Sequence, residues 1–338
     1  MSEASRTLVH STKLTLSGLT VSFDGVTVLH GVDLSIGKGE ALGLVGESGS
    51  GKSVTWLAAL GLCSGKARVS GSAMLDGLEL IGAKPETLEK VRGGRVAMIF
   101  QDPTSALNPV LKVGTQIGEA LALHRGLSGA AIKAEAKSLL DLVGIPDAER
   151  RLSGYPHEFS GGQNQRVMIA MALAGEPDIL VADEPTTALD VTIQAQILDL
   201  INTVRREMGM ALVLISHDLG VIAETCDRVA VMYAGRIVEE APAAELFAAP
   251  RHPYARGLLH SLPPLGGARR KLVSIPGVVP DPRALPKGCA FAPRCREVSD
   301  ACLNLPPVLR DAEAGRRLAC VLDPSHTQSA DLREFVAA

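Results

Sequence analysis

Four groups of residues in this chain have types and spacings suited to chemistry on a phosphoanhydride. The first is Gly46-Glu-Ser-Gly-Ser-Gly-Lys-Ser53, which fits G-x-x-x-x-G-K-[ST]. Gly46, Gly49 and Gly51 let the backbone N–H groups of this stretch, Ser48 included, curl around phosphate oxygens. Lys52 has the reach for β- and γ-phosphates, and Ser53 offers a hydroxyl to Mg²⁺. The second group ends the apolar run Ile179-Leu-Val-Ala-Asp-Glu184. A carboxylate at such a strand end, here Asp183, holds Mg²⁺ in P-loop enzymes. Glu184, one residue on, is placed to polarise an attacking water.

The third group is Gln101 and His217, each just after an apolar strand-like run. Gln101 suits contact with Mg²⁺ and the attacking water, and a neutral His217 suits a hydrogen bond to a γ-phosphate. Taken singly, each is an ordinary loop glutamine or strand-end histidine; only the ensemble gives them weight. The fourth is Ser160-Gly161-Gly162-Gln163 at the start of a helical pattern. Serine is a common N-cap, and a helix start attracts anions. Two glycines in a first turn cost roughly 1 kcal/mol each, which a close backbone approach to a ligand would explain.

These residues need strands that end beside helices, and the pattern supplies them. Leu14–Phe23 and Val28–Ile36 read as strands joined by the Asp24-Gly25 turn. Ala41–Val45 is a short apolar strand leading into the Gly-rich loop, followed by a helix over 52–62. Strands are expected at 95–100, 178–182 and 211–215, and a hairpin at 229–239 across Ala234-Gly235. Helices are expected over 113–124, 128–143, 161–174 and 190–208, from apolar residues at i, i+3 and i+4. Fully apolar strands between helices indicate an α/β domain with a buried parallel sheet.

Composition narrows the function classes. Length is 338 residues with net charge −3 and only 10 aromatic residues, which argues against a polycation or stacking platform for nucleic acid. The sequence has neither an apolar run of membrane-spanning length nor a signal-peptide pattern at its start. Residues 1–250 carry net −8 and residues 251–338 net +5. Pro-rich and Gly-rich punctuation begins beyond Pro250, at 263–267 and in Ile275–Pro286. The expectation is therefore an α/β domain over 12–250 followed by an irregular module over 251–338.

The ordered set resembles the ATPase subunits of ATP-binding-cassette (ABC) transporters over residues 12–250. It has the P-loop at 46–53, a Q-loop glutamine at 101, the signature at 160–163, the acids 183 and 184, a D-loop Ala188-Leu189-Asp190 and the switch His217. The resemblance implies a P-loop NTPase cassette: a RecA-like core, an antiparallel β subdomain and a helical subdomain at about 104–175. It places Phe23 against adenine, and Asp190 in the nucleotide interface with the signature. Phe159 and Thr187 stand where many members have Leu and Ser; neither change removes a group needed for hydrolysis.

Phe100–Pro109, Tyr155–Phe159, Arg251–Gly257 and the tail Ile275–Cys320 are similar to the oligopeptide, dipeptide and nickel importer branch. The branch implies a peripheral ATPase on the cytoplasmic face of the inner membrane. Its implied partners are a second ATPase, identical or not, two permease subunits and an extracytoplasmic solute-binding protein, with no nucleic acid. ATP and Mg²⁺ are the implied substrate and cofactor. The other classes considered are a soluble mechanochemical ATPase of translation or repair and a non-hydrolysing regulatory module. A single P-loop, no coiled-coil insertion and intact Ser160 and Glu184 speak against both.

Four cysteines crowd the tail: Cys289, Cys295, Cys302 and Cys320. A reducing compartment disfavours disulfides. Structural zinc favours tight C-x₂₋₄-C pairs, which are absent. Four thiolates suit a [4Fe–4S] cluster, with Arg294, Arg296 and the basic tail offsetting its charge. The resemblance points the same way, since some ATPases of this branch carry one. Zinc and bare thiols remain as alternatives.

Overall fold

The computed structural model describes residues 12–102, 106–187, 189–261, 274–313 and 315–323. Residues 104 and 105, Ala188 of the expected D-loop and the punctuated stretch 263–267 lie outside them. In chain order the first elements are β1 (Thr12–Phe23), β2 (Val26–Gly37), β3 (Ala41–Val45), α1 (Lys52–Ala59), β4 (Ala67–Leu75) and β5 (Leu78–Glu79). Then come α2 (Pro85–Val91), β6 (Val96–Ile99), α3 (Val113–Arg125), α4 (Ala130–Leu142), α5 (Ala148–Arg151) and α6 (Gly161–Leu173). They continue with β7 (Ile179–Asp183), α7 (Val191–Met208), β8 (Ala211–Ile215), α8 (Leu219–Thr225), β9 (Arg228–Tyr233) and β10 (Arg236–Pro242). The last are α9 (Ala243–Ala248), α10 (Pro253–His260), α11 (Ala301–Asn304), β11 (Arg310–Glu313) and β12 (Arg316–Leu318).

The chain folds into two compact units, each discontinuous in sequence. One holds residues 1–15, 35–41 and 74–215. Here β7 lies between β6 and β8, parallel to both, with Ile179 opposite Val96 and Ala211. Every residue of β7 and β8 is buried, which explains the uninterrupted apolar runs. Apolar faces of α3, α4 and α6 supply Ile117, Leu121, Leu140 and Val167 to the core. Asp190 caps α7 by accepting the Ile193 N–H at 2.9 Å, and Gly209 ends it in the left-handed conformation.

The other unit holds residues 16–34, 42–73 and 216–338. The parts of β1, β2 and β4 within it form an outer sheet with β1 in the middle. In its second sheet β3 runs parallel to β9, and β9 turns back through Ala234-Gly235 into β10. The hairpin is as expected, but the sheet does not end there. β12 pairs antiparallel with β10, and β11 with β12. The Pro- and Gly-rich punctuation beyond Pro250 led to the expectation of an irregular tail, and Arg-Asp-Ala-Glu and Arg-Arg-Leu show no apolar alternation to mark strands. Ion pairs across the ladder take its place: Glu239 and Glu240 of β10 meet Arg316 and Arg317 of β12.

Candidate functional site

The P-loop is the β3–α1 connection. Gly46 adopts φ +154, and a Cβ there would lie 2.2 Å from the Met232 carbonyl oxygen. Gly51, the N-cap of α1, adopts φ +105, and its Cβ would strike Leu29 at 2.5 Å. No side chain caps α1, so its first N–H groups face the loop they follow. Lys52 is buried and folds back, its Nζ donating to the carbonyls of Gly46 at 2.8 Å and Glu47 at 3.1 Å. That places the ammonium inside the loop where an anion would sit. Among the described residues the buried Ser50 Oγ has no hydrogen-bond partner, whereas Ser48 and Gly49 are exposed. Ser53 follows on the first turn of α1. A glycine cradle, a buried ammonium and an orphaned hydroxyl fit a nucleoside triphosphate and its Mg²⁺.

Phe23, the last residue of β1, stands half-buried in the same unit. It lines an open cleft of about 780 Å³ with Ser48 and Gly49. Tail residues 278–283 form the other wall. His217 is exposed just ahead of α8, whose N-cap Asp218 accepts from the N–H groups of Gly220 and Val221.

In the other unit, β7 carries Asp183 buried at its last position, in register with Ile215. Glu184 turns sharply at φ +47, a left-handed conformation uncommon for a side chain larger than glycine. Its N–H donates to the Ile215 carbonyl at 2.9 Å, which holds the turn. Its carboxylate accepts from Gln101 Nε2 at 3.2 Å and from Thr187 Oγ1 at 2.8 Å. Two residues separated by 83 positions thus meet. Thr187 enters the site as an aiming group that the sequence reading treated as a neutral departure. Pro185 follows Glu184, and Thr187 N–H donates to the Glu184 carbonyl at 3.2 Å; that turn chemistry is the signal that brings the two side chains together.

Ser160 and Gln163 form a reciprocal capping box on α6. Ser160 Oγ accepts from Gln163 N–H at 3.3 Å, and Gln163 Oε1 from Ser160 N–H at 3.1 Å. Ser160 and Gly161 lie exposed at the helix start. Gly162 has a second reason to be glycine: its Cβ would touch Ile193 of α7 at 3.0 Å. Asp190 is also exposed, with its carboxylate occupied as the α7 cap.

Cys289, Cys295, Cys302 and Cys320 all line one small cavity, with His252 and Phe291 among the other walls. All four thiols are free. Burial raises Cys289 and Cys295 above the ordinary thiol value and pushes Cys320 up to about 11. Neighbouring backbone N–H groups work against that rise at all three. Among the described residues, no three His, Cys, Asp or Glu side chains form a group that could hold a metal ion. The four cysteines share the wall of one cavity, and among the described residues their sulfurs do not converge as a metal-ligand set. Arg294 was expected to offset cluster charge; instead its guanidinium bonds Glu47 of the P-loop, Pro276 and Tyr233.

Comparison with known proteins matches this arrangement. Residues 29–187 match the family described as ABC transporter, and residues 238–302 match "Oligopeptide/dipeptide transporter, C-terminal region". The chain is similar to the oligopeptide transport ATP-binding protein OppD of Salmonella typhimurium, 48% identical over 91% of this chain and 92% of that protein. OppD of Haemophilus influenzae is 48% identical over 88% of this chain and 93% of its own length. A solved ATP-binding cassette dimer in a post-hydrolysis state with ADP and Pi superposes with TM-score 0.61 at 29% identity, over 68% of this chain and 98% of that one. Among the described residues no helix is long and apolar enough to cross a membrane. The chain therefore belongs to the ABC transporter family, as an ATP-hydrolysing subunit of the branch marked by the oligopeptide/dipeptide transporter C-terminal region.

Proposed function

We propose that this chain powers uptake of oligopeptides, or of a related small solute such as nickel, through a multi-subunit membrane importer. The observation that carries the reading is 48% identity to OppD across nine-tenths of the chain, C-terminal region included. In this reading Gly46–Ser53 cradles the ATP phosphates, Lys52 neutralises the β- and γ-phosphates, and Phe23 stacks on adenine. Ser53, Asp183 and Gln101 are the residues that would hold Mg²⁺, which when bound would neutralise developing phosphate charge. Glu184, aimed by Thr187 and Gln101, polarises the attacking water; His217 hydrogen-bonds the γ-phosphate. Ser160–Gln163 and Asp190 serve the nucleotide of a second ATPase subunit, so ATP becomes part of the interface and favours closure. Loss of the γ-phosphate removes that bridge. The partners are that second ATPase, identical or not, two permease subunits and, through them, an extracytoplasmic binding protein. The chain is peripheral, at the cytoplasmic face of the inner membrane. A soluble mechanochemical ATPase is not favoured, since it has no use for the importer-type tail.

The test is ATPase assay of the purified chain with and without its permease and ATPase partners in liposomes. Turnover is expected to rise on assembly. Ser160→Arg is expected to abolish that rise while leaving ATP affinity of the isolated chain unchanged. Loss of ATP binding by the isolated variant would mean the signature serves its own chain's nucleotide.

The cysteine cavity is proposed to hold a [4Fe–4S] cluster through Cys289, Cys295, Cys302 and Cys320. A cluster there would staple a Pro-rich module that has little apolar core of its own. Anaerobically purified protein is expected to be brown, with about four iron and four acid-labile sulfide per chain. A colourless protein with one zinc per chain, or with neither metal, would reject the cluster.

A further inference from the structure

The C-terminal segment is tied to the P-loop by one nearly buried cation. Arg294, 6% exposed, donates from Nη1 and Nη2 to the two carboxylate oxygens of Glu47 at 2.6 and 2.9 Å. Glu47 is the second residue of the P-loop. A bidentate charged pair of this kind fixes orientation as well as distance. The P-loop backbone is held from the same side: Glu47 N–H donates to the hydroxyl of Tyr254, a fully buried residue of α10. Tyr254, Tyr233 and Phe291 pack with ring centroids 4.6–5.4 Å apart, and Arg294 lies beside the rings of Tyr233 and Phe291.

Arg294 has a second arm. Its Nε donates to the Pro276 carbonyl at 2.8 Å. Two residues on, the chain enters the stretch 278–283, the wall of the open cleft that faces Phe23, Ser48 and Gly49. Val278 on that wall is 83% exposed, an apolar side chain turned to solvent. Arg283 N–H donates to Asp281 Oδ1 at 2.8 Å, which sets the end of the wall as a turn. One guanidinium thus fixes both a phosphate loop and an apolar surface opposite an aromatic ring. A purine has two apolar faces, and a base seated on Phe23 would leave the other face open to water without such a wall.

We propose that the tail completes the nucleotide site: residues 278–283 cover the base opposite Phe23, and Arg294 is the positioning residue that holds this wall and the P-loop together. The inference rests on the reading that ATP binds at Gly46–Ser53, and it adds a base-contacting surface outside the cassette motifs. The wall acts on the base, whereas Arg294 acts on both base wall and phosphate loop, so the two make different predictions.

Affinities for a fluorescent ATP analogue and for inorganic tripolyphosphate separate them, measured on the full chain. Val278→Asp is expected to weaken ATP binding about tenfold and leave tripolyphosphate binding unchanged. Arg294→Ala is expected to weaken both, with the charge exchange Glu47→Arg plus Arg294→Glu recovering part of the loss. Equal ATP affinity in wild type and Val278→Asp would overturn the base wall. Equal affinities for both ligands in wild type and Arg294→Ala would overturn the positioning role. Should Arg294→Ala fail to fold, the Val278→Asp comparison and the charge exchange still decide. A wild-type chain that binds ATP no better than Lys52→Ala would instead overturn the nucleotide site itself, and this proposal with it.

Discussion

Glu184→Gln is expected to lower ATP turnover by roughly 10²–10⁴-fold, the range for removing a positioned general base, with ATP affinity preserved. The substitution keeps the shape of the side chain. An amide oxygen at the same place still accepts the Thr187 hydroxyl, now 2.8 Å from Oε2, so the turn at φ +47 has no reason to relax. What disappears is the negative charge and its ability to take a proton from water. The P-loop contacts that set affinity, those of Lys52 and the Gly46–Ser53 backbone, involve neither atom of the change. Steady-state ATPase assays beside equilibrium ATP binding check both halves, and closed dimers accumulating with ATP would be the structural counterpart. Wild-type turnover in the variant would remove Glu184 from the mechanism.

The largest stability effect is expected at Arg316. Glu239 is fully buried on β10, where it accepts the N–H groups of Arg251 and His252 and pairs with Arg316, itself 4% exposed. Arg316 also donates to the carbonyls of Ala249 at 3.0 Å and Glu245 at 3.2 Å. Truncating one partner of a buried pair leaves an uncompensated charge and costs about 3–5 kcal/mol. For Arg316→Ala this corresponds to a drop in Tm of roughly 10 °C, read by calorimetry. The double variant Glu239→Gln with Arg316→Met is expected to recover part of it, since a neutral amide oxygen still accepts the Arg251 and His252 N–H groups and leaves no charge to desolvate.

The pH dependence of that variant follows from the same carboxylate. Burial already holds Glu239 above its ordinary value of 4.5, and removing Arg316 raises it further. Above pH 4.5 the folded variant then binds more protons at Glu239 than the unfolded chain does. Its stability deficit therefore shrinks as pH falls from neutrality toward 5 and grows as pH rises through the folded value. A deficit independent of pH would mean that the loss comes from the carbonyl contacts of Arg316 and not from the stranded carboxylate.

The family and the phosphate chemistry were legible from the chain alone because both are written in contiguous residues. A P-loop is a local object: eight successive positions set the backbone N–H cradle, and the strand before and helix after it show their own periodicities. The same holds for the β7 acids, for the Ser160 helix cap and for the β9–β10 hairpin. Pairings between distant positions carry no comparable pattern. Gln101 and Glu184 both read as partners of one attacking water, but the direct bond between their side chains, 3.2 Å, comes from the fold. Arg294 sits 247 positions from Glu47, beside a cysteine that suggested another use for its charge. β12 has three residues and no alternation; it is a strand because Glu239 and Glu240 face it from β10. Short-range backbone geometry is fixed by neighbours in sequence, so motifs reveal it. Which buried charge meets which is settled by the cost of leaving either alone in a low-dielectric interior, and only the packed tertiary structure determines that partner.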